Sequence, residues 1–169
     1  MPLVYAECRS VVSRMDQSFV FLGGDGSPVS IADHPKVAAP LDSDLICWLT
    51  TVSPAGQPQS SAIWFLREGN SLLMYSAADA TRLGNLAHND LISLNLRGDT
   101  AGDFILTLEG TATLAPDVAA AQYNEAYLAK YSAEFRRLGW TPASYSADFS
   151  LPVRVEVTRV RYWQTTAGA

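Results

Sequence analysis

The hydrophobic residues between positions 45 and 114 come in short runs separated by polar turn residues. The runs are "LICWLTTV", "PQSSAIWFL", "SLLMYS", "LISLNL" and "FILTLEGTATL". Pro54 and Gly56 lie in the first turn, "SPAGQ", and the second turn is "REGN". Short apolar runs between such turns predict β-strands joined as antiparallel hairpins.

The last of these runs alternates most regularly. Its polar positions are threonine or glutamate, and its apolar residues share one face: Phe104, Leu106, Leu108, Ala112 and Leu114. A period of two with one apolar face indicates a half-buried strand.

The chain after Pro116 has the period of a helix. Gly139 stands where a glycine often ends a helix. The apolar residues before it recur every three or four positions and predict one amphipathic helix, at Ala120, Tyr123, Tyr127, Tyr131, Phe135 and Leu138.

The final run, "LPVRVEVTRVRYW", returns to a period of two. Val153, Val155 and Val157 are in phase, but Val160 is out of phase with them. One extra residue in a strand produces this shift, so we predict a β-bulge near Thr158.

These patterns predict a mainly β protein in which six strands and one long helix form a small β-barrel. Parallel strands would need a crossover between each pair, which the short turns exclude. Residues 41–169 are predicted to form this barrel domain. Residues 1–40 are predicted to be an N-terminal extension, with a hairpin in "FVFLGGDGSPVSI" and a connector or short helix in "ADHPKVAAPLD".

Composition and charge narrow the class of protein. The chain has 169 residues, of which 48% are hydrophobic and 17% charged, as expected of one globular domain. Its net charge of -5 argues against a nucleic-acid or anionic-membrane partner, so any anion site must be local. No window approaches the roughly 18 apolar residues of a membrane span, and the first residues lack the apolar core of a signal peptide, so we expect a cytoplasmic protein.

Few residues offer metal or covalent chemistry. Cys8 and Cys47 form no CxxC motif, and neither His34 nor His88 has a second histidine, a cysteine or a suitably spaced carboxylate nearby, so we expect no metal site. We interpret the "GGDG" at positions 23–26 as a hairpin turn, with a phosphate cradle as the alternative. No motif of nucleophilic catalysis is present, and no catalytic residue is identified.

The stretch "YSAADATRLGNL" suits a local anion site. It brings Ser76, Thr81 and Arg82 between the end of a strand and the start of a helix. Thr81 or Asp79 could cap this helix, whose first amides and positive dipole end would then face the loop beside the guanidinium. We interpret this as a phosphate-sized site; the alternative is that Arg82 only covers a surface helix.

The strand "PQSSAIWF" carries small hydroxyl residues in its middle. Ser60 and Ser61 would let a flat ring approach the backbone closely, and Trp64 and Phe65 would add apolar surface. Ordinary core packing is the alternative interpretation.

Several segments resemble, in order and spacing, the split β-barrel flavin and deazaflavin proteins related to pyridoxamine 5′-phosphate oxidase. They are "WLTTVSPAGQPQSSAIWFL", "LLMYSAADATRLGNLAHNDLISLNL" and "LEGTATL". The tail is similar to the actinobacterial subgroup of F420-dependent enzymes of this family. It reads "AYLAKYSAEFRRLGWTPASYSADFSLPVRVEVTRVRYW". The resemblance covers about residues 45–163.

The resemblance implies a six-stranded antiparallel split β-barrel, FMN-binding-like in fold, that forms a homodimer with cofactor sites at the subunit interface. It implies that Arg82 holds the cofactor phosphate with the hydroxyls of Ser76 and Thr81. The strand from Gln59 to Trp64 would lie along the cofactor ring, and Trp64 and Tyr75 would shape the pocket. Asn85 of the helix would contact the cofactor or simply cap or pack the helix. The remaining candidates are therefore Gln59, Ser60, Ser61, Ala62, Ile63, Trp64, Tyr75 and Asn85.

The activity implied is that of an oxidoreductase using reduced coenzyme F420 for hydride transfer to a small-molecule acceptor. FMN is the alternative cofactor, and a non-catalytic protein that binds a flavin, deazaflavin or tetrapyrrole is the alternative class. Tyr75 could donate a proton or be a core aromatic, and water could serve instead.

The chain also departs from its relatives. They often carry further basic residues where this chain has Ala80, Gly84 and Ala87. Arg97, Arg67 or a residue of the partner subunit could compensate for these missing cations.

Overall fold

The structure, a computed structural model, describes residues 20–23, 29–96, 98 and 104–164. Cys8, Arg97 and most of the "GGDG" turn lie outside the described residues. The strands are β1 Val20–Gly23, β2 Ile46–Val52, β3 Pro58–Trp64, β4 Leu66–Glu68, β5 Ser71–Ser76, β6 Leu91–Leu96, β7 Phe104–Leu114 and β8 Leu151–Gln164. The α-helices are α1 Pro35–Ser43, α2 Thr81–His88, α3 Glu125–Leu138 and α4 Pro142–Asp148, and a short 3-10 helix spans Ala121–Tyr123.

All eight strands belong to one antiparallel sheet, which curls into a split barrel. The order is β3-β2-β6-β7-β8-β5-β4, and β1 also pairs with β8. Strand β8 pairs with β7 along one edge, and along its other edge first with β5 and then with β1. The six predicted strands are confirmed. Strands β1 and β4 were not predicted as members of the barrel, since four and three residues are too few to show a period.

The predicted β-bulge in β8 is confirmed. Glu109 pairs with Arg159 and Gly110 pairs with Val157, which leaves Thr158 as the extra residue. Gly110 also allows the two backbones to approach, because a Cβ there would lie 2.1 Å from the carbonyl oxygen of Glu156. The bulge turns Val160 back into the core, where it is completely buried.

The inner face of the sheet forms the main core. Leu49, Leu94, Leu108 and Val155 are completely buried there. Leu114, predicted on the same face, is the last residue of its strand and is 55% exposed.

Part of the predicted N-terminal extension packs into this core. Val29, Ile31 and Val37 belong to the same buried cluster as the strands. Helix α1 spans the predicted boundary between residues 40 and 41. The segment "ADHPKVAAPLD" is thus a short helix rather than a connector. Strand β1 pairs with β8, and Val29 lies outside any strand, so the described residues show no hairpin in the extension.

Helix α3 carries a second, aromatic core. Asn124 caps its first turn, with its side-chain oxygen 3.0 Å from the amide of Tyr127, and Gly139 ends it at φ 72° as predicted. The predicted helix was too long at its start, since Tyr123 belongs to the short 3-10 helix and is 72% exposed. The buried face consists of Tyr127, Tyr131 and Phe135.

Tyr131 joins this helix to the break between β3 and β4. Its hydroxyl accepts a hydrogen bond from the amide of Phe65 at 2.7 Å and lies 2.8 Å from the carbonyl oxygens of Phe65 and Leu45. The side chain thereby satisfies backbone groups where the sheet pairing stops. No helix in the described part of the chain is long and apolar enough to cross a membrane.

Candidate functional site

Helix α2 begins beside the end of β5 without a side-chain cap. Ala80 occupies the N-cap position, and Thr81 is already helical, so the predicted capping by Thr81 or Asp79 is wrong. The amide of Leu83 donates to the carbonyl oxygen of Ala80 at 2.9 Å, whereas the amides of Thr81 and Arg82 remain available to an anion at the positive end of the helix dipole.

Arg82 lies in this first turn with only neutral hydrogen-bond partners. Its Nε donates to Ser76 Oγ and its Nη1 donates to Ser61 Oγ, both at 3.2 Å. Burial lowers the pKa of this half-buried guanidinium, which means that its charge is partly deprived of water. No carboxylate among the described residues forms an ion pair with it. Such a cation is complementary to an anionic ligand.

A cavity of about 500 Å³, here called the polar cavity, opens on one side of Arg82. Hydroxyl, amide and guanidinium groups from three elements line it. The lining residues are Thr51, Gln59, Ser60, Ser61, Thr81, Arg82 and Asn85.

Asn85 holds two other lining residues of the polar cavity in place through hydrogen bonds. It is 3% exposed, and its Nδ2 donates to Thr51 Oγ1 at 2.9 Å and to Gln59 Oε1 at 2.8 Å. Because these bonds hold the oxygen of the Gln59 amide, its NH₂ group is turned away from Asn85. Asn85 therefore fixes a side chain of the cavity as well as packing in the protein.

Strand β3 is a sheet edge at the cavity. It pairs with β2, and its other edge has no strand partner in the described ranges. Gln59, Ser60 and Ala62 are exposed along it. Their small or flexible side chains leave the backbone N–H and C=O groups of this edge accessible to a flat ligand.

A smaller cavity of about 210 Å³, here called the aromatic cavity, is also lined by Arg82. Strands β3 and β5 contribute Ala62, Ile63, Trp64 and Tyr75 to its lining. The segment from the end of α3 to the start of β8 contributes Arg137, Leu138, Trp140, Tyr145 and Phe149.

The tyrosine hydroxyls at the aromatic cavity are already engaged. Tyr75 donates to the carbonyl oxygen of Ala119 at 2.9 Å, and the hydroxyls of Tyr145 and Tyr127 lie 2.6 Å apart. Burial raises the pKa of Tyr75 and raises the pKa of Tyr145 to about 12. Tyr75 thus has the environment of a core aromatic rather than of a proton donor.

The predicted site residues all lie around Arg82. The polar cavity brings together Gln59, Ser60, Ser61, Thr81 and Asn85, and the aromatic cavity brings together Ala62, Ile63, Trp64 and Tyr75. Ser76 differs from the prediction in detail. It is 2% exposed and holds Arg82 without lining either cavity.

Sequence reasoning missed the part of the site that follows α3. Trp140, Tyr145 and Phe149 lie in the tail that resembles the family, and their aromatic spacing is the signal that could have indicated them. The suggestion that Arg67 compensates for the missing cations of α2 is wrong, because its guanidinium binds both carboxylate oxygens of Asp42 at 2.7 and 2.8 Å. The described residues contain no cluster of His, Cys, Asp and Glu that could hold a metal ion.

The fold and the site define a split β-barrel of the pyridoxamine 5′-phosphate oxidase type. Residues 33–164 match the family model described as "Pyridoxamine 5'-phosphate oxidase", and the chain belongs to this family. No curated protein sequence matches the chain.

Solved structures of the same fold belong to proteins with different functions. An F420 reductase is 21% identical with a TM-score of 0.53, covering 75% of this chain and 95% of its own. An FAD-binding protein of Mesorhizobium loti is 14% identical with a TM-score of 0.58, covering 88% and 99%. The heme storage protein of Vibrio cholerae is 18% identical with a TM-score of 0.52, covering 73% and 89%. At these identities the likeness shows the fold.

Proposed function

We propose that the chain is an oxidoreductase that binds reduced coenzyme F420 and transfers a hydride from it to a small-molecule acceptor. The observation that carries this proposal is the guanidinium of Arg82, half-buried, bonded to hydroxyls and bordering both cavities. The likeness to an F420 reductase supports the choice of cofactor.

The residues present fit a phosphorylated, flat cofactor. The guanidinium of Arg82 and the amides of Thr81 and Arg82 would bind the phosphate, with the hydroxyl of Thr81 beside them. The open edge of β3 supports the ring through backbone groups, and Asn85 keeps Gln59 oriented in the cavity. A cavity of about 500 Å³ lies within the usual range of roughly 300–1,000 Å³ for small-molecule sites.

The bound cofactor supplies the hydride, and the protein binds, orients and shields the reactants. Trp64 stacks on Tyr131 with ring centroids 4.3 Å apart, which gives the site a rigid apolar wall. Since the nearby tyrosine hydroxyls are engaged, we propose that water supplies any proton the acceptor needs.

We propose that the functional form is a homodimer. Trp48 of β2 is 48% exposed and Leu91 of β6 is 62% exposed, on the outer face of neighbouring strands. A second copy would cover this apolar surface and extend the site along β3.

FMN is the second candidate cofactor, and a specific observation favours it. Gly84 and Ala87 are exposed on α2 and Ala80 precedes it, so these positions add no cation to Arg82. The single phosphate of FMN needs fewer cationic contacts than the phosphodiester and oligoglutamate tail of F420. A carrier is the third candidate, supported by the likeness to a heme storage protein, and it would bind a ligand without catalysing turnover.

Titration of the cofactor-free protein with F420 and with FMN, followed by cofactor fluorescence, tests the proposal. F420 is expected to bind more tightly. Arg82→Gln should weaken binding about 10- to 100-fold, as for a lost hydrogen bond to a charged group, with little change in Tm. Arg136→Gln is the matched control, since this exposed arginine on α3 lines neither cavity.

Tighter binding of FMN would move the protein to the flavin-dependent alternative. If Arg82→Gln lowers the Tm markedly as well as the cofactor affinity, an anchoring role for this residue is contradicted. Binding without reoxidation of the reduced cofactor by any acceptor would support the carrier.

A further inference from the structure

Tyr131 lines neither cavity, yet its side chain holds one end of the strand on which a cofactor ring would lie. We propose that Tyr131 is a positioning residue, which fixes the open edge of β3 so that the backbone groups of this edge meet the ring of the cofactor. The role in cofactor binding rests on the proposed function, whereas the anchoring of β3 does not.

The hydroxyl of Tyr131 lies where the pairing of β2 with β3 stops. The last pair of this ladder is Ile46 with Trp64. The residues that would form the next pair, Leu45 and Phe65, are both bonded to Tyr131. The amide of Phe65 donates to the hydroxyl oxygen at 2.7 Å, and the carbonyl oxygens of both residues lie 2.8 Å from it. One hydroxyl from α3 therefore joins the ends of two neighbouring strands.

These contacts need a protonated hydroxyl. Tyr131 is completely buried, and burial raises its pKa, so the hydroxyl keeps its proton. It then accepts one hydrogen bond and donates one, which the two carbonyl oxygens share. Without the hydroxyl, the buried amide of Phe65 would lose its acceptor, which costs more free energy than the bond itself contributes.

The ring of Tyr131 also fixes the last side chain of β3. It stacks on the indole of Trp64, with the ring centroids 4.3 Å apart and the ring planes 2° apart. Trp64 is part of the lining of the aromatic cavity. The same tyrosine therefore holds both the backbone and the side chain at this end of the strand.

Strand β3 depends on this support because another strand holds it along one edge only. It pairs with β2, and its other edge has no strand partner within the described residues. The start of β3 is held by the tight turn from β2, closed by the bond from the Ser53 amide to the Gln57 carbonyl, and by the bond from Asn85 to Gln59. Tyr131 holds the opposite end of the strand.

A fixed strand edge matters for binding a flat ring. Ser60 and Ser61 in the middle of β3 line the polar cavity, and Ala62 and Ile63 line the aromatic cavity. Binding groups must be held within about 0.5 Å of the productive geometry, and backbone groups reach it only if the whole strand stays in place. An edge strand that moves at one end would bind the ring less tightly.

Tyr131→Phe and Tyr127→Phe form a matched pair for the test. Both tyrosines are completely buried on α3, and each change removes one hydroxyl and keeps the ring. The hydroxyl of Tyr127 bonds to that of Tyr145 on α4, at 2.6 Å. Both changes should lower the Tm, because each leaves a buried polar group without its partner. The Tm alone therefore does not distinguish the two roles.

Hydrogen exchange of the cofactor-free full chain, measured by mass spectrometry, tests the anchoring of β3. Tyr131→Phe should speed the exchange of the amides of residues 58–65, since this end of the strand would open locally. Tyr127→Phe should leave the exchange of this segment unchanged. Equal exchange of the segment in both variants overturns the inference.

Fluorescence titration with F420, FMN and riboflavin tests the role in ring binding. Tyr131→Phe should weaken the binding of the cofactor that the wild type takes up by about 3- to 10-fold, as for one neutral hydrogen bond, and Tyr127→Phe should not. Riboflavin carries the ring of FMN without the phosphate. Where FMN binds, Tyr131→Phe should weaken riboflavin by the same factor, whereas Arg82→Gln should weaken FMN and leave riboflavin unchanged.

The outcomes separate this inference from the proposed function. Cofactor binding that Tyr131→Phe leaves unchanged overturns the positioning role alone, even if β3 exchanges faster. An equal loss of affinity in both tyrosine variants is an effect of general destabilisation and overturns it as well. If neither F420 nor FMN binds to the wild type, the proposed function and the positioning role are overturned together, and hydrogen exchange still decides whether Tyr131 anchors β3.

Discussion

Lys130 is a charged residue held in apolar surroundings. Its Nζ donates to the carbonyl oxygen of Leu41 at 3.1 Å and lies 4.0 Å from the ring centroid of Phe65. Burial lowers the pKa of this lysine from 10.5 to about 8, although Asp42 opposes the shift. The folded protein therefore binds fewer protons than the unfolded chain between these two pH values.

The sign of the pH dependence follows from this difference. Stability contributed by Lys130 should be complete above pH 10.5 and should be lost as the pH falls to about 8. We expect the free energy of unfolding of the wild type, minus that of Lys130→Met, to rise by about 1–3 kcal/mol over this range. Urea unfolding at several pH values measures it. Lys36→Met, an exposed lysine of α1, is the control, and a difference that stays constant with pH would contradict the prediction.

Cys47 is completely buried, and its burial raises the pKa of the thiol to about 12. Because the thiolate is the reactive form, the folded protein should not react at Cys47 with a thiol reagent at pH 8. The measurement uses a Cys8→Ser background, with and without urea. Rapid labelling of the folded protein would show that β2 opens readily.

At the scale of elements, the bulge between β7 and β8 depends on Gly110. Gly110→Ala should destabilise the protein by at least about 2 kcal/mol, because its Cβ would lie 2.1 Å from the Glu156 carbonyl oxygen. Thermal unfolding measures the loss. An unchanged Tm would mean that the strands can separate locally without cost.

In helix α2, a glycine-to-alanine substitution is expected to stabilise the protein rather than destabilise it. Gly84 is exposed within the helix, and a Cβ there would meet no atom within 4 Å. Gly84→Ala should therefore stabilise the protein by about 0.5–1 kcal/mol through the lower entropy of the unfolded chain. Cofactor affinity should stay the same, since Gly84 lines neither cavity. A fall in Tm would show that the helix needs glycine at this position.

These elements also show what the sequence pattern can predict. Alternation identified β7 and the phase shift at Thr158, because burial of one face imposes a period on a strand. The helix cap at Ala80 was missed, since a cap depends on the loop backbone rather than on residue type alone. Arg82 was found from the order of strand, loop and helix. The aromatic cavity was not, because a pattern of aromatic residues in the sequence does not show where the packed rings leave a gap.

At the scale of the whole molecule, the open edge of β3 and the exposed outer face beside it suggest association. Trp48 pairs across the sheet with Ala62 of β3 and with Asn95 of β6, so its exposed indole lies in the middle of that face. A monomer would leave this apolar side chain exposed to water.

We therefore expect light scattering to give twice the chain mass of 18.3 kDa at micromolar concentration. Trp48→Glu should shift the protein to the monomer, because the charge would be buried at the contact. It should also weaken cofactor binding if the partner subunit completes the site. Tyr123→Glu, at an exposed aromatic residue of the short 3-10 helix, should change neither property. A wild-type monomer would contradict the dimer, and a monomeric Trp48→Glu with full cofactor affinity would mean that each chain holds a complete site.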